Sequence, residues 1–354
     1  MLGATSPGFE ANDLGFQRRA DILTADWRLA YDERAPAAPW LNFVRVTGFG
    51  TQALNYGGDH VNHRYNASLF ARFQSLAFTT VVASYRPVYV NDRLTRGGPT
   101  ALRPSDAALS VRVNSNPGRR LSGGLRVAGR HDLPHDHLGV GYEQQLVVQP
   151  SVAWRPTDAV RVELAPRLTL AHNTDQYLGT EPDAAGGTRY LFSDTDIEQL
   201  VAELRADWTF TPRLSVQLYA EPSVFSVRYS EFRELAARRT YDFDRLGTEP
   251  LVDAGTDGER PAAAGEVPSA YRLTPADGGD PFLLGNFDFT QLGLRGNAVL
   301  RWEWRPGSAF FLVWQQTRDD FDAYDGDALG GLGDAFSAEG RNVFLAKLTY
   351  WFGV

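Results

Sequence analysis

The sequence predicts an all-β protein, specifically an antiparallel transmembrane β-barrel, and three observations lead to this fold class. Apolar and polar residues alternate with a period of two along most of the chain, which is the pattern of a strand with one apolar and one polar face. Short and long connections alternate between these segments, as in outer-membrane barrels. Aromatic residues collect beside the short connections, where the surface of a bilayer favours them.

The alternating segments define the predicted strands. Between residues 199 and 210, Leu200 and Leu204 fall on one face while Glu203 and Asp207 fall on the other. Many segments reach about 12–16 residues, well beyond the length of about 5–6 that is typical of soluble sheets. The strand count implies a barrel of about 14–16 strands when complete. The thirteen predicted strands of this chain are 20–33, 40–55, 60–74, 77–90, 106–115, 120–130, 139–154, 159–173, 196–210, 213–229, 287–304, 309–319 and 342–352.

The connections support the same fold class because their lengths alternate. Short turns at one end of the strands and long loops at the other are typical of outer-membrane barrels. Tight turns are predicted at 116–119, 155–158, 211–213 and 305–308. Long loops are predicted at 92–105, 174–195, 230–286 and 321–340.

Aromatic residues near the tight turns and the C-terminus predict a girdle at one membrane surface. An indole ring prefers this boundary because it is half apolar while its N–H stays hydrated. The alternative is that these residues sit at the strand ends of a soluble sandwich. The predicted girdle residues are Trp40, Trp154, Trp208, Phe210, Trp302, Trp304, Tyr350 and Phe352.

The charged residues of the strands are predicted to face the interior of the barrel, because a charge facing lipid at the midplane costs several kcal/mol. There they can line a wet channel or form arginine–carboxylate ladders, and the sequence leaves both open. These lumen residues, expected to set selectivity, are Arg45, Arg64, Arg72, Arg112, Arg126, Glu143, Arg161, Glu163, Arg167, Glu203, Arg205, Glu221, Arg295, Arg301, Glu303 and Lys347.

Composition excludes several classes of protein. The net charge of −8 argues against a nucleic-acid partner, which would require a basic surface. Cysteine is absent from the sequence, so there are no disulfides and no thiolate sites. Nucleophile elbows, H-E-x-x-H and P-loop motifs are also absent from the sequence. We therefore expect a protein without a cofactor and without enzymatic activity.

Two clusters are weak candidates for a metal site. Residues 131–137 read HDLPHDH, and imidazole with carboxylate can hold zinc or copper. The acidic loop near residue 325 offers hard oxygen ligands that suit calcium, without the order of an EF-hand. A solvated loop is the preferred interpretation of both, and no metal is predicted. The candidate ligands would be His131, His135, His137, Asp322, Asp325 and Asp327.

The two ends of the chain bear on its localisation. No secretory signal is visible at the start, and an odd count of thirteen strands would leave residues 1–19 outside the cell, followed by the barrel over 20–354. Single-chain bacterial barrels have an even number of strands, so we expect a strand and a leader upstream of Met1. The last strand, 342–352, resembles the aromatic C-terminal signal that the outer-membrane assembly machinery reads.

Three segments resemble the DUF5916 family, bacterial proteins of unassigned function. They are residues 12–21, 231–243 and 294–308, which read NDLGFQRRAD, EFRELAARRTYDF and LRGNAVLRWEWRPGS. The resemblance runs from about residue 9 to the C-terminus. It implies a barrel-like region that follows an N-terminal β-sandwich similar to carbohydrate-binding modules, and this sandwich is missing from the present sequence.

The sequence therefore predicts a protein of the bacterial outer membrane, in contact with its lipid. The preferred function is a pore or docking channel for a solute, saccharide or peptide, in concert with an upstream binding module, with residues 230–286 as the gate. The alternative is a non-conducting barrel that anchors or assembles another domain or protein. A membrane-embedded hydrolase is a third, weaker interpretation.

Overall fold

The computed structural model describes residues 1–10, 19–134, 142–183, 186–253, 258–322 and 328–352, and nearly all of its regular structure is β. One antiparallel sheet of fifteen strands dominates. Fourteen of its strands lie side by side in chain order. They are β1 (Leu2–Thr5), β2 (Ile22–Glu33), β3 (Leu41–Leu54), β4 (His60–Phe73), β5 (Phe78–Arg86), β8 (Asp106–Asn114), β9 (Leu121–Asp132), β10 (Gln144–Thr157), β11 (Val160–Pro182), β12 (Thr188–Thr211), β13 (Leu214–Leu235), β19 (Phe289–Arg305), β20 (Ser308–Asp322) and β21 (Gly340–Thr349).

The remaining strands belong to the long connections. The fifteenth strand of the large sheet, β14 (Phe243–Arg245), pairs with the end of β13. The connection after β5 contains a two-stranded ribbon, β6 (Tyr89–Asn91) and β7 (Ala101–Arg103). The connection after β13 contains a four-stranded sheet in the order β16-β15-β17-β18, formed by β15 (Gly247–Asp253), β16 (Glu259–Pro261), β17 (Ala270–Thr274) and β18 (Phe282–Gly285).

Each of the thirteen predicted strands corresponds to a strand of the large sheet, but the predicted count is wrong. Strand β1 pairs with the beginning of β2, Thr5 opposite Ile22, and β14 adds a further short strand. With β1, the continuous path has an even number of strands. The odd strand count is therefore wrong, while an upstream segment stays a prediction. The four residues of β1 are too few to show the alternation on which the sequence prediction relied.

The long connections lie at one end of the sheet, as predicted, with one exception. The predicted loop 174–195 is wrong, because β11 and β12 extend through it and leave only 183–187 between them. The register shifts between Asn173 and Gln176 and between Tyr177 and Gly179. A bulge inserts an extra residue and breaks the period of two, which hid these extensions in the sequence.

The large sheet is strongly curved. Arg239, four residues after β13, pairs with Asp59, which directly precedes β4 (2.6 Å between Nη2 and Oδ1). Seven strand spacings separate β4 from β13 along the sheet, about 34 Å if the sheet were flat. Backbone hydrogen bonds from Arg239 to Thr100 and from Leu102 to Thr240 join the segment after β13 to the connection that follows β5. The sheet therefore curls until the ends of distant strands face each other.

The curled sheet is open in the described part of the chain. Strands β1 and β21 are its edges, and no backbone pairing joins them there. The closed barrel expected from the sequence is therefore not found. The physical reason lies in β1, whose four residues pair with only the first part of β2, so that most of β2 has a neighbour on one side alone.

A short helix, α1 (Ala328–Asp334), follows β20 and lies against the large sheet. Leu332 and Ala335 pack on Leu200, Val224 and Leu292. A Cβ atom on Gly331 would lie 3.3 Å from a methyl group of Val224, so glycine permits the close approach. None of the helices in the described residues has the length and hydropathy that a membrane span requires.

Candidate functional site: a charged wall and its plugged mouth

The register of the large sheet separates two faces. Leu168, Leu200, Val224 and Leu292 lie opposite one another on β11, β12, β13 and β19, and the residues two positions away along each strand share their face. This apolar face remains exposed over much of its area. Leu164 is 45% exposed and Leu204 40% exposed.

Aromatic side chains mark the end of the apolar face beside the short connections. Trp154, Trp208 and Trp302 are each about half exposed. The rings of Trp208 and Phe210 stack at 4.3 Å. All eight predicted girdle residues lie at this end of the sheet, while their contact with lipid stays a prediction.

A row of polar side chains marks the opposite end of the apolar face. His131, Gln144, His172, Asp196 and Arg228 are consecutive register partners on β9 to β13. Asp196 accepts hydrogen bonds from His172 Nδ1 at 2.7 Å and from Arg228 at 2.8 Å. The apolar surface is thus bounded by aromatic rings at one end and by this polar row at the other.

The sixteen predicted lumen residues all lie on the other face of the sheet by the same alternation. We call it the charged face. Several of its arginines form ion pairs with a neighbouring carboxylate. The pairs are Arg45 with Asp32 at 2.6 Å, Arg205 with Glu203 at 2.5 Å, Arg301 with Glu303 at 2.7 Å, and Arg161 with Glu163.

The structure thus contains the ladders that the sequence allowed, but only on part of the charged face. Within the described ranges, no ion pair involves the remaining arginines and the lysine of the set. Their role in selectivity stays a prediction. They are Arg64, Arg72, Arg112, Arg126, Arg167, Arg295 and Lys347.

At the end with the long connections, loops cover the interior of the curled sheet. Arg103 of β7 reaches Glu143, which is 2% exposed, at 2.7 Å, and it also pairs with Asp175 of β11. Arg130 shares the same Glu143 oxygen at 2.8 Å. Buried charged side chains therefore hold the β6–β7 ribbon against the large sheet. We refer to this ribbon with residues 236–245 as the plug.

A second set of buried polar groups holds the plug beside β13. Arg233 is 1% exposed, pairs with Asp194 and donates a hydrogen bond to the carbonyl of Thr174 at 2.9 Å. Tyr241 and Thr174 share a hydrogen bond of 2.8 Å between their hydroxyls. Burial lowers the pKa of Arg233 to about 10 and raises the pKa of Tyr241 to about 12. Both groups lie beyond the polar row, on the side of the long connections.

Asp132 is a buried acidic residue at the end of the sheet with the long connections, which we call the mouth. It lies one residue beyond the polar row and is 2% exposed, and its Oδ2 accepts a hydrogen bond from the backbone N–H of Glu143 at 3.2 Å. Burial, and then the nearby Glu143 carboxylate, raises the pKa of Asp132 to about 6. Sequence reasoning missed Arg103, Asp132, Arg233 and Tyr241, because three of them fall in segments read as loops and the fourth in a candidate metal motif.

The four-stranded sheet β15–β18 packs on the extended ends of β11 to β13. Leu191, Phe232, Tyr271 and Leu273 form its buried contact with them. Arg189 of β12 links the two by hydrogen bonds to Glu234 at 2.7 Å and to Asp277 at 2.6 Å. The beginning of the predicted loop 230–286 is still strand, since β13 continues to Leu235.

The comparison with known families gives one result. The model of a domain of unknown function, DUF5916, matches residues 3–246. The chain belongs to the DUF5916 family. No curated protein matches it. The family suspected from the sequence is thereby confirmed, although the match ends before the third resembling segment, residues 294–308, which forms most of β19.

In this DUF5916 protein, the resembling segment 231–243 supplies much of the plug and its anchors. Arg233, Arg239, Tyr241 and Phe243 all belong to it, and the rings of Tyr241 and Phe243 pack edge to face at 5.2 Å. Most of the segment 12–21 lies outside the described residues. The resemblance between 231 and 243 thus coincides with the closure of the mouth.

The metal candidates remain almost entirely outside the described residues. This holds for His135, His137, Asp325 and Asp327, and for the side chain of Asp322. The rings of His131 and Tyr142 lie in tilted contact, with 5.5 Å between their centroids. Among the residues that the structure describes, no group of three metal-ligating side chains is found.

Proposed function

We propose that this DUF5916 protein spans the bacterial outer membrane as a curled β-wall that closes into a barrel, and that its charged interior admits or docks a solute. The observation that carries the proposal is the division of one sheet into two faces. An exposed apolar face lies between an aromatic row and a polar row, and the opposite face carries the sixteen charges.

The height of the apolar face supports a membrane location. Twelve residues separate Trp208 from Asp196 along β12. At about 3.3 Å per residue and a tilt of about 40°, the two rows are about 30 Å apart along the membrane normal. The apolar band of outer-membrane barrels is about 25 Å tall, so it fits between the rows.

The charged face supports an aqueous interior. Exposed arginines opposite lipid would each cost about 2–4 kcal/mol at the midplane, whereas in a wet interior they remain solvated. The contact between Arg239 and Asp59 brings the two halves of the wall towards each other. We propose that the edges β1 and β21 meet in the membrane and complete the barrel.

The plug makes the proposed passage a gated one. Residues 236–245 cross the mouth between β13 and the turn before β4, and the β6–β7 ribbon lies beside them. A solute that docks at the mouth must displace these segments or pass around them.

Single-channel recording in planar bilayers tests the proposal. The full chain should show small or intermittent conductance, and the variant Arg239→Gln, which releases the plug from Asp59, should conduct more often. Arg245→Gln is the matched control, since Arg245 pairs locally with Glu231. A protein that stays soluble without detergent, or that seals the bilayer in all three forms, would refute the pore.

A non-conducting anchor is the second candidate, and the buried ion pairs of the plug favour it. Arg103 ties the β6–β7 ribbon to Glu143 and Asp175, and Arg189 ties the turn between β17 and β18 to β12 through Asp277. The strands β15–β18 form a separate folded surface. In this case a domain or partner protein would co-purify in stoichiometric amount. We further propose that β21, whose Phe344 and Leu348 are each 68% exposed at the open edge, is the strand read by the assembly machinery.

A further inference from the structure

A groove of about 350 Å³ lies on the charged face across β4 to β10. Four arginines line it, namely Arg64, Arg86, Arg126 and Arg130. Asp106 is the one carboxylate among the described residues of its lining. The sequence showed these arginines only as members of a larger charged set, because the distance between strands in space is not visible in it.

Two of the four arginines already have a carboxylate partner. Arg86 Nε donates a hydrogen bond to Asp106 Oδ2 at 2.5 Å, and Arg130 is bound to Glu143. The Nε of Arg130 is nevertheless buried and has no hydrogen-bond acceptor among the described residues. A buried donor left in this state costs about 1–3 kcal/mol.

The other two arginines have no carboxylate within reach. Arg126 donates from Nε to the hydroxyl of Ser110 at 3.3 Å, and Arg64 forms no polar contact in the described part of the chain. Arg112 lies directly opposite Arg126 in the register of β8 and β9. Like charges that face each other across a sheet are destabilising, so this wall carries an uncompensated positive field.

Elsewhere on the charged face, several arginines are neutralised by a glutamate of their own strand. On β11, β12 and β19, arginine and glutamate two residues apart neutralise each other, as in Arg161 with Glu163 and Arg301 with Glu303. On β4, β8 and β9, no such glutamate accompanies the arginines. Two arginines without a carboxylate partner, Arg64 and Arg126, therefore line this groove, although the whole chain has a net charge of −8.

We propose that this groove is a binding site for a small solute bearing an oxyanion group, carboxylate or phosphate. Arg64 and Arg126 lie three strands and six register positions apart, because Arg126 is level with Phe70 of β4, so their backbones would be about 24 Å apart in a flat sheet. Planar guanidinium groups bind carboxylate and phosphate by paired hydrogen bonds. One oxyanion would engage Arg64 at one end of the groove, and another would engage Arg126 at the other end. The proposed site assigns a class of solute to the proposed passage. Its physiological meaning rests on the proposed function, whereas binding itself does not.

Binding can be measured without conductance. Equilibrium dialysis of the full chain in a neutral detergent, with radiolabelled pyrophosphate and citrate as separate probes, should show saturable binding of at least one. The two arms distinguish phosphate from carboxylate. A neutral disaccharide should not compete. The affinity should fall steeply as salt is raised, because the interaction is electrostatic.

The double variant Arg64→Gln/Arg126→Gln should weaken binding at least tenfold. Arg161→Gln/Arg205→Gln, which removes two paired arginines of the same face, is the matched control and should change affinity less than twofold. If the glutamine pair does not fold, Arg64→Lys/Arg126→Lys replaces it, and a loss of at least threefold is expected because lysine lacks the paired donors.

Absence of saturable binding, or equal losses in the variant and the control, would overturn the site. Its failure is distinct from failure of the pore. Anion binding without any conductance would support the groove and refute the passage. Conductance without anion binding would support the passage and refute the groove.

Discussion

At the scale of single residues, burial changes the pKa of ionisable side chains at the mouth. Asp132 is the clearest case, since its carboxyl group is buried beside Glu143 while its backbone remains in β9. A carboxyl group whose pKa is higher in the folded state than in the unfolded state favours folding when protonated. The mouth of the sheet should therefore respond to pH.

Replacing Asp132 with Asn should stabilise the protein at neutral pH. The pKa of Asp132 is about 6 in the folded protein against an ordinary 3.8. The wild type should therefore lose about 2–3 kcal/mol between pH 4 and pH 6.5, and Asp132→Asn should not. Denaturant unfolding in detergent at pH 4.5 and pH 7.5 measures the difference. Equal pH dependence in both proteins would contradict the assignment.

The apolar face makes a second residue-scale prediction. Leu204→Arg places a charge between the aromatic and polar rows of β12, and it should cost about 2 kcal/mol or more in lipid vesicles. Gln199→Arg, on the charged face of the same strand, is the control and should cost less than about 0.5 kcal/mol. Equal costs in urea titrations would indicate that the apolar face does not contact lipid.

At the scale of elements, a few local contacts hold residues 236–245 across the end of the sheet with the long connections. Arg239 adopts a left-handed φ of 60°, a conformation that costs a non-glycine residue about 1 kcal/mol or more. The tertiary contacts hold it there, among them the ion pair with Asp59 and the backbone hydrogen bond to Thr100. The plug is thus held by contacts that small changes can release.

A double-mutant cycle of Arg239→Gln and Asp59→Asn should give a coupling of about 0.5–1 kcal/mol, the usual range for a partly exposed ion pair. The hydrogen bond from Arg239 holds the pKa of Asp59 below its ordinary value. The coupling should therefore be complete at neutral pH and disappear as the pH falls through that lowered pKa. Unfolding at pH 7 and pH 3 tests both statements, and a coupling that persists in acid would contradict them.

The strands were predictable from the sequence, whereas the plug was not. Long alternation located β12 around Leu200 and Leu204, because side chains change face at every residue. The extensions containing Tyr177 and Phe192 escaped because bulges shift the period. The groove also escaped, because Arg64 and Arg126 are far apart in the chain and only the strand order brings them to one wall.

At the scale of the whole molecule, the aromatic residues give a test of membrane contact. If the sheet spans a bilayer, Trp154, Trp208 and Trp302 lie near its surface and contact lipid. Lipids brominated high on the acyl chain should quench tryptophan fluorescence more than lipids brominated near the bilayer centre. Soluble bromide serves as the control. Equal quenching at both depths, or none, would place the rings away from a bilayer surface.

Helix α1 covers the apolar face on some strands of the sheet and leaves it exposed on others. It covers Leu168, Leu200, Val224 and Leu292 on four successive strands, while Leu109, Leu125 and Leu146 on β8 to β10 stay bare. In a bilayer, lipid would contact the bare strands directly. The glycine-rich helix α1 would separate lipid from the covered strands. The molecule would consequently present a distinct front and back to its neighbours, and any lateral association would begin on the bare flank.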